Sequence, residues 1–349
     1  MKKTIIIGLI VVTMVLGLVA CSGAAAAETE ETKTSDFLQE PVTITDFEGD
    51  EVVVMTNPRT VAIYDYGVLD ILLHIGIEHT SIERIIVPSQ ANLPDALFWF
   101  AKSDLVDSGG TLFYVDRDVL DLLQPELVIM GARSFGMNAA GDRLSPEDRD
   151  EFMDETQKRY DNTAWIRLGS GREINIVEDM AISVAALSAI FPGVADKIQA
   201  EYDAILEVFE EVNALASESD STALFAMMVD ATSLSVFLPG SRFNLLYDEF
   251  GFTPAATEEP EFEDQHGFDV RAEYVLSVDP DIIFLLDRSA ATGAGAAYEN
   301  MIRDPIIAQT SAAQKDQIFV LDADAWYIIT GGFTAFRMMV EDLLQYLER

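Results

Sequence analysis

The sequence is poor in cysteine, histidine and basic residues. Its 349 residues include one cysteine and three histidines, and 22 lysines and arginines stand against 60 aspartates and glutamates. A site dedicated to a free divalent metal ion usually gathers several histidine and carboxylate ligands, so three histidines argue against such a site. The net charge of -38 predicts repulsion from nucleic acid and from anionic lipid surfaces, so we expect no nucleic-acid partner.

Two common hydrolase motifs are also missing. The chain contains no G-x-S-x-G and no H-E-x-x-H, which are the signatures of a serine nucleophile elbow and of a zinc protease. These absences favour a protein that is not an enzyme. The many carboxylates leave an acid/base pair open, so a hydrolase stays as an alternative.

The composition predicts a folded protein with a substantial core. Hydrophobic residues make up 49% of the chain, and the mean hydropathy of +0.18 argues against disorder. A length of 349 residues accommodates two lobes or one large α/β domain.

The N-terminus has the pattern of a secretory signal peptide. Lys2 and Lys3 precede an uncharged apolar stretch over residues 4–20, and the letters LVAC end at the only cysteine, Cys21. This end resembles the lipobox of bacterial lipoproteins. Removal of residues 1–20 would leave Cys21 as the first residue, with a lipid on its thiol. The alternative is an uncleaved membrane anchor with an unmodified cysteine.

The remaining chain divides into four segments. Residues 21–40 are small, polar and acidic, which predicts a flexible tether. Strand and helix patterns alternate over 41–170 and again over 217–349, and this alternation is typical of α/β lobes. A helical pattern over 171–216, broken only at Pro192 and Gly193, predicts a long connecting helix. The predicted fold class is therefore α/β, with two lobes joined by a long helix.

Two segments 155 positions apart share a helix, a proline turn, an apolar strand and a terminal arginine. The prolines are Pro125 and Pro280 (280 − 125 = 155), and the arginines are Arg133 and Arg288 (288 − 133 = 155). Ligands of open α/β sheets bind beyond the carboxyl ends of the strands, so both arginines are expected in one cleft that binds an anion. The alternative is that any two helix–proline–strand units look alike.

Three further residues are candidates for the same cleft. Arg242 follows a Pro-Gly turn and is predicted in the first turn of a helix, where a cation opposes the helix dipole and so suggests a ligand. A salt bridge to Asp248 is the alternative. His266 lies in a loop and Tyr327 follows a late strand; imidazole and phenolate are plausible ligands of ferric iron. Alone, each has an ordinary structural explanation.

Three stretches carry a family resemblance: GSRFNLLYDEFGF, QHGFDVRAEYVLSVDPDIIFLLDR and DADAWYIITGG. They resemble the solute-binding lipoproteins of ATP-driven iron–siderophore importers, nearest to the catecholate or petrobactin type. The resemblance covers most of the chain after the tether. It implies the bilobed, helical-backbone (class III) periplasmic-binding-protein fold. It also assigns anion neutralisation to Arg133, Arg242 and Arg288, and iron ligation to His266 and Tyr327.

The chemistry agrees with this resemblance. A ferric tris-catecholate carries three negative charges, which three arginines can balance while they donate hydrogen bonds. The iron arrives as the siderophore complex, so no intrinsic cofactor is expected. Four aromatic residues are candidates for the apolar walls of the cleft, with core packing as the alternative: Tyr64, Tyr66, Phe135 and Trp326. The acidic stretch 139–160, which we predict to be an exposed excursion, departs from the family and can alter one wall.

The resemblance also implies partners and a location. It predicts an exported monomer, lipid-anchored to the cell membrane, that faces the periplasm or the cell exterior and delivers a ferric siderophore to an ABC permease. Asp104 and Glu259 are 155 positions apart (259 − 104 = 155) and form a candidate pair for permease docking. The alternatives are a binding protein for haem, cobalamin or a hydroxamate siderophore, and, in other classes, an exported hydrolase or a surface adhesin.

Overall fold

The computed structural model describes residues 37–89, 93–170, 176–258, 263–264, 267–293 and 295–347. The predicted signal peptide and three of the candidate residues lie outside this part of the chain: Cys21, Glu259 and His266. The segment Phe37–Arg349 forms one compact unit.

A β-hairpin is the first element of the described chain. Strands β1 (Pro41–Thr45) and β2 (Glu51–Met55) pair in antiparallel register. Gly49 has a φ of 87°, a left-handed conformation that glycine adopts without a steric penalty. Asp46 Oδ1 accepts hydrogen bonds from the backbone N–H groups of Glu48 and Asp50 and so closes the turn.

A five-stranded parallel sheet follows, with the strand order β5-β4-β3-β6-β7. Its strands are apolar because helices cover both faces of a parallel sheet; all four residues of β6, for example, are buried. The strands are β3 (Thr60–Tyr64), β4 (Arg84–Val87), β5 (Val106–Ser108), β6 (Leu127–Met130) and β7 (Ala164–Arg167).

Three helices accompany this sheet: α1 (Tyr66–Ile75), α2 (Arg117–Leu123) and α3 (Pro146–Arg159). Ser145 caps the N-terminus of α3, since its side chain accepts from the Asp148 N–H. The prediction of a merely exposed excursion over 139–160 is wrong in part, because Thr156 and Tyr160 are buried. One face of α3 thus packs on the core of the five-stranded sheet, while most of the segment is exposed.

The connection to the second sheet consists of two helices rather than one. Helix α4 (Ile176–Ile190) and helix α5 (Ala195–Ser217) meet at the short 3₁₀ turn Pro192–Val194, where the axis bends by 113°. Proline lacks an N–H and disfavours a helical residue before it, which explains the break that the sequence predicts. Among the described residues no single helix is long and apolar enough to cross a membrane, and only this bent pair passes by length and composition.

The second sheet has seven strands in a mixed arrangement. The order is β11-β12-β9-β8-β13-β14, and β10 pairs with β8. Strands β8, β10, β13 and β14 run parallel, whereas β9, β11 and β12 pair in antiparallel fashion. The strands are β8 (Thr222–Met228), β9 (Leu234–Phe237), β10 (Thr253–Pro254), β11 (Glu263–Asp264), β12 (Gly267–Val270), β13 (Ile282–Asp287) and β14 (Ile318–Val320).

Five helices and two π-helical turns complete the described chain. The helices are α6 (Ala272–Val278), α7 (Arg288–Ala291), α8 (Tyr298–Ile302), α9 (Ser311–Gln314) and α10 (Phe333–Leu347), and the π-helical turns are Leu245–Glu249 and Asp324–Ile328. Buried Asp70 of α1 accepts hydrogen bonds from the Thr334 and Ala335 N–H groups at the start of α10. The helices of the two sheets are therefore joined directly.

The two segments that share a sequence pattern also share their local structure. Helix α2 maps onto α6 at both ends (117 + 155 = 272 and 123 + 155 = 278). Gln124 and Asp279, one residue beyond each helix, both have left-handed backbones with φ of 46° and 48°. The strands that follow begin at equivalent positions (127 + 155 = 282). Arg133 and Arg288 thus follow equivalent strands.

Candidate functional site

Three arginines surround the ring of Tyr327. The guanidinium carbon of Arg242 lies 4.6 Å from the ring centroid, and those of Arg133 and Arg288 lie at 5.5 Å and 5.6 Å. These distances permit cation–π attraction. The three arginines that the sequence singled out therefore meet around the tyrosine that it also singled out.

The arginines come from three different loops. Arg133 lies in the turn after β6, and Arg288 is the first residue of α7, directly after β13. Arg242 lies in the turn after β9, before the π-helical turn that begins at Leu245. The predicted helix-dipole argument for Arg242 is therefore wrong, because Arg242 precedes the π-helical turn and does not lie in the first turn of a helix. The neighbouring Ser241 hydroxyl donates to the Leu238 carbonyl.

Hydrogen bonds fix Tyr327 on two sides. Arg133 Nη2 donates to the Tyr327 backbone carbonyl at 2.9 Å, and Arg288 Nε donates to the phenol oxygen at 2.9 Å. Arg288 Nη1 also donates to the Val229 carbonyl at 3.3 Å. A guanidinium held by several acceptors keeps its orientation, so the cations are positioned by the protein itself.

The arginines lower the pKa of Tyr327. Burial raises the pKa of its phenol, but the charges of Arg242, Arg288 and Arg133 and the hydrogen bond from Arg288 outweigh burial, so that the net pKa lies below the ordinary tyrosine value. Positive charge favours the phenolate over the phenol. This tyrosine is consequently suited to act as an anionic oxygen ligand.

These residues line a pocket of about 340 Å³. All the charged side chains among its lining residues are arginines, and Phe113 and Met137 supply apolar surface. The lining residues are Phe113, Ala132, Arg133, Gly136, Met137, Arg143, Arg149, Arg242, Arg288 and Tyr327. Five arginines therefore line the pocket, whereas the sequence predicted three.

Arg143 and Arg149 were missed by the sequence reasoning. Both belong to the polar stretch that was expected to be exposed, although its Ser-Pro pair at Ser145 and Pro146 is a helix-start signal. Arg149 lies in the first turns of α3, and its Nη2 donates to the Ala132 carbonyl at 2.7 Å. That contact turns one face of α3 toward the loop after β6, where Arg133 is found.

The four aromatic residues predicted as apolar walls lie in the core instead. Trp326 is fully buried, and its Nε1 donates to Asp342 Oδ2 at 2.9 Å. The buried Tyr64 hydroxyl donates to the Gly109 carbonyl. Phe135 is fully buried, and Tyr66 is 7% exposed within the main core cluster. The alternative of core packing, which was kept open for each, is the one observed.

Trp326 and Tyr327 are neighbours in the π-helical turn, but their side chains have different surroundings. Within this turn the Trp326 ring packs against Phe225 and Phe250, whereas the Tyr327 ring lies among the arginines. Adjacent residues of a helix project about 100° apart, so one turn can serve both the core and the pocket. The sequence alone did not show which aromatic residue faces which way.

The buried carboxylate of Asp65 interacts with the charge of Arg133. Asp65 caps α1 by accepting from the Val68 N–H at 3.0 Å. Burial raises the pKa of Asp65 to about 6, although the hydrogen bond from Val68 and the charge of Arg133 act in the opposite direction. A Cβ atom added to Gly131 or Gly169 would come within 2.6 Å and 2.3 Å of Asp65 atoms. Glycine is needed there because the loops close over this carboxylate.

Of the remaining candidate residues the structure describes only Asp104, which lies apart from this arrangement. Asp104 is exposed in a turn before β5. His266 and Glu259 lie outside the described residues. The pairing of His266 with Tyr327 therefore stays a prediction. Within the described chain no group of three histidine, cysteine or carboxylate side chains comes together in a way that could hold a metal ion.

Comparisons with known proteins agree with this fold. A model of a periplasmic binding protein family matches residues 156–325. The petrobactin-binding protein YclQ of Bacillus subtilis is 25% identical over 350 residues that span all of both chains. Its crystal structure aligns with a TM-score of 0.74 at 26% identity, covering 89% of this chain and 99% of that one.

Two further proteins extend the comparison. The ferric-anguibactin-binding protein FatB of Vibrio anguillarum is 26% identical over 302 residues, which is 84% of each chain. The periplasmic catecholate-siderophore binding protein VctP of Vibrio cholerae aligns with a TM-score of 0.72 at 23% identity, over 88% of this chain and 100% of that one. Over residues 156–325 the chain thus matches the periplasmic binding protein family, and over most of its length it is similar to siderophore-binding proteins. The predicted fold class, two α/β lobes with a helical connection, is confirmed.

Proposed function

We propose that this protein binds an anionic ferric siderophore of the catecholate type and delivers it to an ABC permease. The observation that carries the proposal is the cluster of Arg133, Arg242 and Arg288 around Tyr327. Relatives that align over most of the chain are named as binding proteins for petrobactin and ferric anguibactin, which supports the same class of ligand.

The geometry suggests different roles for the arginines and for Tyr327. The guanidinium groups neutralise the complex and donate hydrogen bonds to catecholate oxygens. Tyr327, whose pKa is lowered by the arginines, donates its phenolate oxygen to iron at a coordination position that the chelator leaves open. His266 is proposed as the second protein ligand. Iron is cargo in this scheme, so the protein needs no cofactor of its own.

Binding without turnover is the activity that we propose. The relatives are substrate-binding proteins, and the positioned arginines suit recognition of an anion. A hydrolase would need a nucleophile or an acid/base pair aimed at a scissile bond. The arginine cluster around Tyr327 is arranged to bind an anion, and this favours a protein that is not an enzyme.

The cellular setting is proposed from the sequence. Cys21 is the proposed lipidation site after removal of residues 1–20, and residues 21–40 would tether a monomeric binding domain to the membrane on its outer side. The proposed lobes are 41–170 and 217–349, with 171–216 between them. Asp104 and Glu259 are proposed to contact the permease, one from each lobe.

A ligand comparison tests the proposal. The chain from residue 37 onward, which forms a compact unit, is titrated with ferric complexes of a catecholate and of a hydroxamate and with haem, and quenching of tryptophan fluorescence is measured. We expect saturable quenching by the catecholate complex without chemical change of the chelator. Preferential binding of the hydroxamate complex or of haem would contradict the ligand class, and binding of none of the three would contradict the function.

Iron ligation is tested in the same experiment by spectroscopy. Tyr327→Phe and His266→Ala are expected to change the visible charge-transfer band of the bound ferric complex, because each removes a ligand from iron. Tyr346→Phe is a matched control, since the Tyr346 phenol bonds the Ser219 hydroxyl, away from the arginines. An unchanged band in both site variants would contradict direct ligation.

A further inference from the structure

The pocket holds two arginines in addition to the three around Tyr327. Arg143 and Arg149 line the same 340 Å³ space as Arg133, Arg242 and Arg288. Three guanidinium groups already balance the charge of a ferric catecholate core, which is -1 with two catecholates and -3 with three. Two more guanidinium groups on the wall of the same pocket can donate hydrogen bonds to further anionic groups of the same ligand.

The two arginines lie toward the rim rather than at the centre. The contacts with the Tyr327 ring come from Arg133, Arg242 and Arg288. Arg143 is exposed and Arg149 is half-buried, and both come from the segment that leads into α3 and its first turns. Groups at the periphery of a bound complex would therefore meet these two side chains.

Local structure positions the loop that carries Arg143. Asn138 Oδ1 accepts from the N–H groups of Ala140 and Asp142, both at 2.9 Å. Gly141 closes the turn with a φ of 85°. The strand-like bridge between Met137 and Arg143 sets these two lining residues opposite each other. Hydrogen bonds within the loop therefore hold it in this conformation.

Helix α3 positions Arg149 in a similar way. Ser145 caps the helix and Pro146 begins it, which fixes where its first turns start. The bond from Arg149 Nη2 to the Ala132 carbonyl, at 2.7 Å, holds the guanidinium at the wall of the pocket. The remaining N–H groups of a guanidinium can still donate to an anion, because the group has five donors.

We infer that the ligand carries anionic groups beyond its iron-bound catecholate oxygens, carboxylates for example, and that Arg143 and Arg149 are specificity residues that bind them. This inference rests on the proposed function. The chemical class is a ferric catecholate complex with peripheral carboxylates.

Two matched probes isolate the peripheral charge. Ferric bis complexes, which leave two coordination positions of iron open, are prepared with two equivalents of 3,4-dihydroxybenzoate or 3,4-dihydroxybenzamide at near-neutral pH. Both have the same catecholate core, and only the first adds two outer carboxylates. Equilibrium dialysis, read from the colour of the complex, gives a Kd for each. We expect the wild-type protein to bind the benzoate complex about tenfold more tightly than the benzamide complex.

Variants then show which residues cause the preference for the benzoate complex. Arg143→Gln and Arg149→Gln should each reduce this preference, expressed as the ratio of the two Kd values, about three- to tenfold. Arg149→Lys keeps the charge and should retain most of the preference, which separates charge from any folding defect. Lys158→Gln is the control, since Lys158 lies on the same helix with its side chain 78% exposed.

Equal binding of both complexes by the wild-type protein would overturn the inference. So would an equal loss of affinity for both complexes in Arg143→Gln and Arg149→Gln. Neither result touches the proposed function, because the catecholate core would still be bound. If the wild-type protein binds neither complex, the proposed function is wrong and the inference with it.

Discussion

Arg133 Nη2 donates a hydrogen bond to the backbone carbonyl of Tyr327 at 2.9 Å, although the two residues are 194 positions apart. Arg133 follows β6 of the five-stranded sheet, and Tyr327 follows β14 of the seven-stranded sheet. This bond therefore connects loops that belong to different sheets. The bond lies at the pocket. An anion bound there can compete with the Tyr327 carbonyl for the Arg133 guanidinium, so binding can affect how one sheet is positioned relative to the other.

The first prediction concerns the affinity of the pocket. Arg133→Gln and Arg288→Gln should each weaken binding of a ferric catecholate complex about 10- to 100-fold, because each removes a charge-assisted donor. Fluorescence titration measures the loss. Arg303→Gln is the control, since Arg303 forms a surface pair with Glu299 away from the pocket. Affinities within a factor of two of the wild-type value in both site variants would remove these arginines from the site.

The second prediction concerns the ionisation of Tyr327 in the iron-free protein. Ultraviolet titration should show one tyrosine that ionises before the others, and Tyr327→Phe should remove that first step. Seven other tyrosines have raised pKa values, chiefly because of burial: Tyr64, Tyr66, Tyr114, Tyr160, Tyr202, Tyr247 and Tyr274. Arg288→Gln should raise the pKa of Tyr327, since it removes a charge and a hydrogen bond that favour the phenolate. An early step that persists in Tyr327→Phe would assign it to another residue.

The third prediction tests the position of Trp326 in the core. Trp326→Phe should lower the free energy of unfolding by about 2–3 kcal/mol, because it removes buried volume and leaves Asp342 without the indole donor. Its ligand affinity should stay within about threefold of the wild-type value. Urea unfolding and a binding titration of the same sample measure both quantities. A large loss of affinity with unchanged stability would restore Trp326 to the wall of the pocket.

The fourth prediction concerns the pH dependence of stability. The pKa of Asp65 is about 6 in the folded protein and about 3.9 in an unfolded chain. The folded state thus binds this proton more tightly, and the free energy of unfolding should fall by up to about 3 kcal/mol as the pH rises from about 4 to above 6.

Asp65→Asn isolates this contribution. Asparagine can still cap α1 but does not titrate, so the variant should lose that part of the pH slope and keep the part due to the net negative charge of the protein. Urea midpoints of both proteins at several pH values between 4 and 8 give the comparison. Parallel curves for the two proteins would show that Asp65 has an ordinary pKa.

Much of the local structure could be predicted from the sequence. The hairpin at Gly49, the strands that lead to Arg133 and Arg288, and the helix break at Pro192 all depend on short-range patterns of apolar residues, glycine and proline. The repeat with an offset of 155 also has a local origin, because equivalent left-handed residues end the two equivalent helices at Gln124 and Asp279.

The structure brings together the residues that the sequence singled out at the ends of strands. The carboxyl ends of parallel strands share one edge of a sheet, so Arg133 and Arg288 could be assigned to a cleft from their positions alone. Arg242 was assigned to the right place for the wrong reason, since a turn and not a helix N-terminus holds it.

The sequence alone determined the α/β architecture and the arginines at the strand ends, because these depend on the order of neighbouring residues. Only the tertiary structure decided that Trp326 faces the core while Tyr327 faces the arginines, and that α3 turns Arg149 toward the pocket. The side-chain directions in a π-helical turn and on an irregular polar segment depend on what packs against them. Those packing partners are distant in the sequence, and local periodicity carries no information about them.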